Sequence, residues 1–313
     1  DIDRRPIRPW MTAEIGDLGA GGGLGNRNEG PARNPAATLH TPHSTLDTPS
    51  VPSALAITAH PDDIEFRIAG ALLLLKDRGW DIHCWNLCSG SLGSTVMTAA
   101  QTARTRRAEA REAARLMGAG WFPPLVPDME LLYELRHVRR ICSVIREVKP
   151  TVILTHPPQD YMEDHMIACR LTVTGAFARN IPNHPCTPRR PPMMEPCTIY
   201  HCVPHGLGSN VREPFTPDLF VDITAVHARK RAALACHRSQ KEWLDASQGV
   251  DSYLHARDAE AAHLGRLSRR FKLAEAFRRH LHYGYGEAGD DPLAEALGRK
   301  LVQPNRRPLV PVP

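Results

Sequence analysis

Two short stretches of this sequence crowd together residues that can bind a metal ion and move a proton. The first is His60-Pro61-Asp62-Asp63. The second runs from His156 to His165 and carries Asp160, Tyr161, Met162 and Asp164 between them. Two imidazoles and one carboxylate are a common set around a catalytic zinc, leaving a position open for water. His60, Asp63 and His165 supply that set. Asp62 adjoins a ligand without being one, so it is placed to accept a proton from a metal-activated water. The same donors suit Fe2+ as well as Zn2+. Taken alone, His-Pro-Asp-Asp would serve equally as a turn, with Asp63 capping a following helix. Asp160 and Asp164 are expected to orient the ligands or to cap a helix. Asp128 reads as a turn residue that could reach the rim.

For the two segments to meet, the elements around them must bring them to one edge. Both follow short apolar runs. SALAITA at 53–59 predicts a buried strand, and 64–79 has helical spacing stopped by Gly79. A second strand is expected over 80–90, running into a Gly/Ser turn, and an Ala- and Arg-rich helix over 102–118. A loop follows, then an amphipathic helix at 134–149 stopped by Pro150, a strand at 151–156 and a helix at 164–179. Beyond a Pro-rich loop at 181–196, a strand is expected at 198–205 and a strand end passing into a helix over 221–244. This alternation predicts an α/β fold: a Rossmann-like, mostly parallel sheet with helices on both faces, forming a single catalytic domain. Such sheets bind ligands beyond the carboxyl ends of their strands, so two loops about a hundred residues apart can share one rim.

AHPDDIEF at 59–66, taken with DYMEDH at 160–165, resembles the PIG-L/LmbE-like zinc-dependent deacetylase family. The likeness spans 53–245 and extends to three other places. They are the Arg106-x-x-Glu109 stretch ending in Met117-Gly118, the strand and His-Pro at 151–157, and the segment from Lys230 to His237-Arg238-Ser239-Gln240. Members remove the acetyl group from N-acetylglucosamine-type amides. The resemblance therefore implies a metal-dependent hydrolase whose partner is a small N-acetylated amino sugar or its conjugate. Carried over position by position, it makes His60, Asp63 and His165 the ligands of a Zn2+ (or Fe2+) cofactor and Asp62 the base. Two departures stand out. Members often carry a histidine where this chain has Met162, a thioether that cannot donate a hydrogen bond to an oxyanion. Tyr161 and His237 are the expected replacement donors. The family's Gly-(Glu/Asp)-x-Gly turn is Gly90-Ser91-Leu92-Gly93, which lacks the carboxylate. These departures leave two rivals: a related zinc amidase acting on a non-sugar amide, and a metal-binding module with impaired catalysis.

The 313 residues are 42% hydrophobic and 23% charged, as in an ordinary globular enzyme. The net charge of +5 is spread along the chain, and aromatics make up 6%, so no basic, aromatic-studded stripe marks a nucleic-acid surface. No apolar run is long enough to span a bilayer. None of the eight cysteines forms a Cys-x-x-Cys pair, and several lie in apolar runs, which suggests reduced, buried thiols and a cytoplasmic location. The chain begins with Asp1, so its start reads as a fragment or an arbitrary one, to which signal-peptide reasoning does not apply. Residues 1–52, rich in Gly, Pro, Asn and Thr, are expected to be a disordered or loosely packed tail. The deacetylase-like domain is expected at 53–245. A C-terminal helical extension is expected over 246–313, with 274–298 as helix and loop and a candidate contact in a homo-oligomer.

Overall fold

The computed structural model describes residues 51–240 and 253–305. The expected tail therefore lies almost wholly outside the described residues, as do the end of the 221–244 helix and the last residues of the chain.

β1 (Ser53–Thr58) is buried at every position, because its alternate side chains enter two different cores. Ala54 and Ala56 face one layer, with Ile82, Leu154 and Tyr200; Leu55 and Ile57 face the other, with Trp85, Ile153 and Ile199. The helical stretch after the first motif is two pieces, α1 (Asp63–Arg67) and α2 (Ala69–Lys76), separated at Ile68, whose φ of −130° is not helical. β2 (Asp81–Asn86) follows Gly79, whose φ is +81°. α3 (Ala99–Met117) starts at a capping box of Thr98 and Gln101 and stops at Gly118, in the left-handed region.

After the short β3 (Gly120–Phe122) come α4 (Leu135–Val148), β4 (Val152–Thr155), α5 (Glu163–Phe177) and β5 (Thr198–Cys202). The buried face of α4, with Val138, Ile141 and Ile145, packs with Leu171 of α5 against one side of the sheet. Beyond lie β6 (Leu219–Asp222), α6 (His227–Leu234), α7 (Tyr253–Ser268), β7 (Ala274–Arg279), α8 (Pro292–Leu297) and β8 (Val302–Pro304).

Among the described residues the strands form one sheet in the order β3-β2-β1-β4-β5-β7-β6-β8. The first five are parallel, while β7 pairs antiparallel to both β5 and β6, and β8 antiparallel to β6. The expected mostly parallel α/β fold is present. The helix expected across 274–298 is not: 274–279 is a sheet strand and only Pro292–Leu297 is helical. AEAFRR consists largely of good helix formers, but β5 and β6 hold it between them, and Phe277 is fully buried. Tertiary pairing overrides the local preference. The C-terminal region is thus not only helical; it supplies two strands of the main sheet.

β1 lies between β2 and β4, so the chain leaves it toward one side and later returns on the other. That reversal opens a crevice at the carboxyl ends of β1 and β4, the place where open α/β sheets bind ligands.

Candidate metal centre and active-site cleft

The two sequence motifs meet in that crevice. His60 leaves the end of β1, and its loop is pinned from below: Asn86 Nδ2 donates to Thr58 Oγ1 (2.9 Å) and to the His60 carbonyl (2.6 Å). Asp63, at the start of α1, accepts the His60 backbone N–H through Oδ2 at 2.6 Å. The turn reading of this motif is therefore satisfied by the same carboxylate that faces the cluster. His165 comes from the first turn of α5.

His60 Nδ1 lies 3.3 Å from His165 Nε2 and 3.6 Å from Asp63 Oδ2, and His165 Nε2 lies 3.5 Å from Asp63 Oδ1. Tetrahedral zinc with bonds of about 2.0–2.1 Å sets its ligand atoms about 3.4 Å apart, so the three donors fit such an ion. Behind each imidazole stands a carboxylate. Asp164 Oδ2 takes His60 Nε2 at 3.0 Å and the Met129 N–H at 2.8 Å. Asp160 Oδ2 lies 3.2 Å from His165 Nδ1. With a metal on the imidazoles, these carboxylates would fix the ring orientations and raise ligand basicity. The His156 ring stacks on that of His165, with centroids 3.9 Å apart, and its Nε2 accepts the Ala59 N–H at 3.0 Å.

Electrostatics point the same way. Burial disfavours a charged His60, but its hydrogen bonds to Asp164 and Asp63 outweigh that and raise its pKa to about 10. Burial likewise opposes ionisation of Asp63, yet the neighbouring His165 and His156 hold it well below the usual carboxylate range. The carboxylates around His60 thus favour positive charge here, and a divalent cation on the three donors would compete with the proton.

Asp62 is 6% exposed and has a φ of +99°, a left-handed backbone that is uncommon outside glycine. The Arg106 guanidinium lies 3.4 Å from Asp62 Oδ1 and donates to the Pro61 and Gly90 carbonyls. Arg106 reaches there because Gly90 and Gly93 leave it room: a Cβ on either would come within 2.7 Å of the guanidinium group. In the sequence Arg106 stands beside Arg104 and Arg107, which are exposed. The signal that sets it apart is its helical register with Thr102, Glu109 and Ala113, all buried. Ser91 brings no carboxylate to the turn, but Asp128 holds it, accepting the Gly90 and Leu92 N–H groups at 2.6 and 3.0 Å.

These residues open into a cleft of about 470 Å3 that Tyr161 and Met162 also line. Tyr161 is 56% exposed, its ring edge-on to His165 at 5.5 Å; its partial burial and the nearby Asp63 and Asp160 carboxylates raise its phenol pKa, so it remains a donor. His237 is elsewhere: fully buried, with Nε2 3.3 Å from Glu65 and outside the residues that line the cleft. Sequence spacing gave no sign of Arg67, His205 and Arg257, which line the cleft from three separate segments. A second cleft of about 570 Å3, lined by His201, His280 and Arg278 among others, contains none of the candidate metal-ligand groups found among the described residues.

A two-histidine, one-aspartate cluster at the switch point of a mostly parallel sheet defines an α/β protein with a candidate catalytic metal centre. Residues 55–176 match the family PIG-L: GlcNAc-PI de-N-acetylase. A 4-oxalmesaconate hydratase of Pseudomonas putida is 30% identical over 210 residues, 63% of this chain and 76% of that protein. A diacetylchitobiose deacetylase of Thermococcus kodakarensis is 28% identical over 197 residues, 61% of this chain and 70% of that one. The fold matches that of the N,N'-diacetylchitobiose deacetylase of Pyrococcus horikoshii with a TM-score of 0.64 and 23% identity, covering 78% of this chain and 89% of the other. The chain belongs to the PIG-L family.

Proposed function

We propose that this protein is a Zn2+-dependent amide hydrolase that removes an acetyl group from a small N-acetylated amino sugar or its conjugate. The observation that carries this reading is the convergence of His60, Asp63 and His165 at metal-ligand separations beside the buried carboxylate of Asp62. The diacetylchitobiose deacetylase relative supports the substrate class.

A Zn2+ held by those three donors would acidify a water and polarise the amide carbonyl. Asp62 accepts a proton from the attacking water, and Arg106 keeps its carboxylate aimed. The water oxygen bonds to the carbonyl carbon, the C–N bond breaks, and the proton passes from Asp62 to the leaving nitrogen, giving acetate and a free amine. Tyr161 donates to the oxyanion in place of the hydrogen bond that Met162 cannot make.

The test is metal analysis of the purified protein, followed by amine-release assays on N-acetylglucosamine derivatives. One equivalent of zinc with amine release is expected, and His165→Ala is expected to lose the metal. Metal-loaded protein that releases no amine from any acetylated amine would overturn the reading.

A second reading draws on the hydratase relative and on Met162: the same activated water adds to a carbon–carbon double bond. Ultraviolet loss of a conjugated enoate without amine release would select it.

A further inference from the structure

One wall of the cleft carries a cluster that neither metal binding nor proton transfer uses. Arg67 ends α1, His205 lies on the turn after β5, and Arg257 lies on α7. The side chains of both arginines are 10% exposed. Glu260 ties them together, accepting from Arg67 and from Arg257 Nη1 at 2.8 Å. Arg67 Nη2 also points at His205 Nδ1, at 3.1 Å, and Arg257 Nη2 lies 3.4 Å from the same nitrogen.

A guanidinium has no acceptor, so His205 Nδ1 must receive. The imidazole is then neutral, with its proton on Nε2. Burial, then the charges of Arg67 and Arg257, push its pKa down to about 4, consistent with that assignment. Arg67, Arg257 and His205 can therefore present only donors to the cleft; they are built onto the apolar surface of Phe66 and Val203, with Glu260 tying the two arginines and Asp160 at the neighbouring end of the cleft. Arg67 shares its hydrogen-bonded carboxylate, Glu260, with a second guanidinium, its other hydrogen bond goes to a neutral ring, and Asp160 acts on it only through space. Tyr161 spans the gap to the metal centre, its ring 5.5 Å from both the His165 and His205 rings.

We propose that Arg67 and His205, with Arg257 beside them, form a subsite for a carboxylate on the substrate, one aromatic ring away from the reacting centre. A planar guanidinium fork matches the two oxygens of a carboxylate, and in a wall this buried such a pair is little screened by water. The inference rests on the reading of this cleft as the place of reaction. It adds that the acetylated amine is an acid and not a neutral sugar.

The test uses the zinc-loaded full chain with N-acetylmuramic acid, its methyl ester and N-acetylglucosamine 6-phosphate. The free acid is expected to exceed its ester in kcat/KM by about tenfold or more, the worth of one charge-assisted contact. In Arg67→Gln that ratio collapses toward one, with the loss falling on KM, and Arg67→Lys restores part of it. If Arg67→Gln does not fold, His205→Leu is expected to reduce the ratio in the same direction. Equal turnover of acid and ester overturns the subsite, and a preference for the phosphate overturns the carboxylate assignment. If no amide is cleaved, the hydrolase reading fails by itself. The subsite is then decided by calorimetric binding of muramic acid against glucosamine: tighter binding of the acid, lost in Arg67→Gln, supports it, and equal binding overturns it.

Discussion

Asp62 is held in the left-handed region at φ +99°, flanked by a proline and by Asp63. A non-glycine residue in such a conformation costs of order 1–3 kcal/mol and persists where the surroundings dictate it. Here they do: the Asp63 carboxylate fixes the His60 N–H, and Arg106 anchors both the Pro61 carbonyl and the Asp62 carboxylate. Asn tolerates this backbone about as well as Asp and keeps a polar group against Arg106. Asp62→Asn is therefore expected to fold, to keep its metal on elemental analysis, and to lose kcat by about 10²–10⁴ as a missing general base. A variant with full kcat would remove Asp62 from proton transfer. The candidate ligands and the proposed base could be picked out in the sequence because each motif is local and each follows an apolar strand. Arg67, His205 and Arg257 were not. They sit far apart in the chain with no shared spacing, and Arg67 reads as one more charged residue in a helical pattern. Only folding makes them neighbours.

At the scale of elements, the segment least readable in the sequence holds in place the helix that follows the motif helix. Glu275 on β7 accepts the N–H groups of Gly70 and Ala71 at 2.8 Å each, capping the start of α2 from another strand, and takes Lys230 Nζ of α6 at 2.6 Å. Gly70 permits this approach, since a Cβ there would stand 2.5 Å from Ile223 and 2.7 Å from the Glu275 carboxylate. Lys230 is 4% exposed, so removing its partner leaves a buried ammonium whose remaining hydrogen bond among the described residues is to the Phe66 carbonyl. Glu275→Ala is expected to cost about 3–5 kcal/mol in urea denaturation, the range for breaking one side of a buried ion pair. A loss below about 1 kcal/mol, the worth of an exposed pair, would mean that Lys230 finds water instead. Local propensity could not reveal this clamp, because Ala, Glu and Arg in AEAFRR favour helix and only pairing with β5 and β6 makes a strand. Most of the parallel half was readable for the opposite reason: its apolar runs, stops at Gly79, Gly118 and Pro150, and helical periods agree with the fold, except that the expected helix over 64–79 breaks at Ile68 and the short edge strand β3 lies where a loop was expected.

Across the whole molecule, a parallel half that carries the candidate metal ligands is joined to an antiparallel half at the β5–β7 pairing, and His201 sits on that seam. Its Nδ1–H donates to the His156 carbonyl at 2.7 Å, inside the loop that leads to His165, and its Nε2 therefore accepts from His280 Nδ1 at 2.9 Å. Cys169 of α5 lies 3.7 Å away. Burial, the largest influence, presses the His201 pKa from 6.5 to about 4, against the backbone bond that raises it; the charges of His280 and Arg278 add to the depression. With the folded pKa below the unfolded one, the unfolded chain binds the extra proton between these limits. The stability held through a neutral His201 is thus complete above pH 6.5 and drains away as pH falls toward 4. For a depression of that size the loss is about 3 kcal/mol at most. Urea midpoints of the zinc-free protein, taken with chelator so that metal release does not contribute, should fall over this window. His201→Gln keeps a donor for the His156 carbonyl and cannot titrate. Its stability is expected to vary with pH by about one proton less than the native chain. Parallel pH profiles for the two would show instead that His201 gains its proton while folded, and that acid does not open the sheet at this seam.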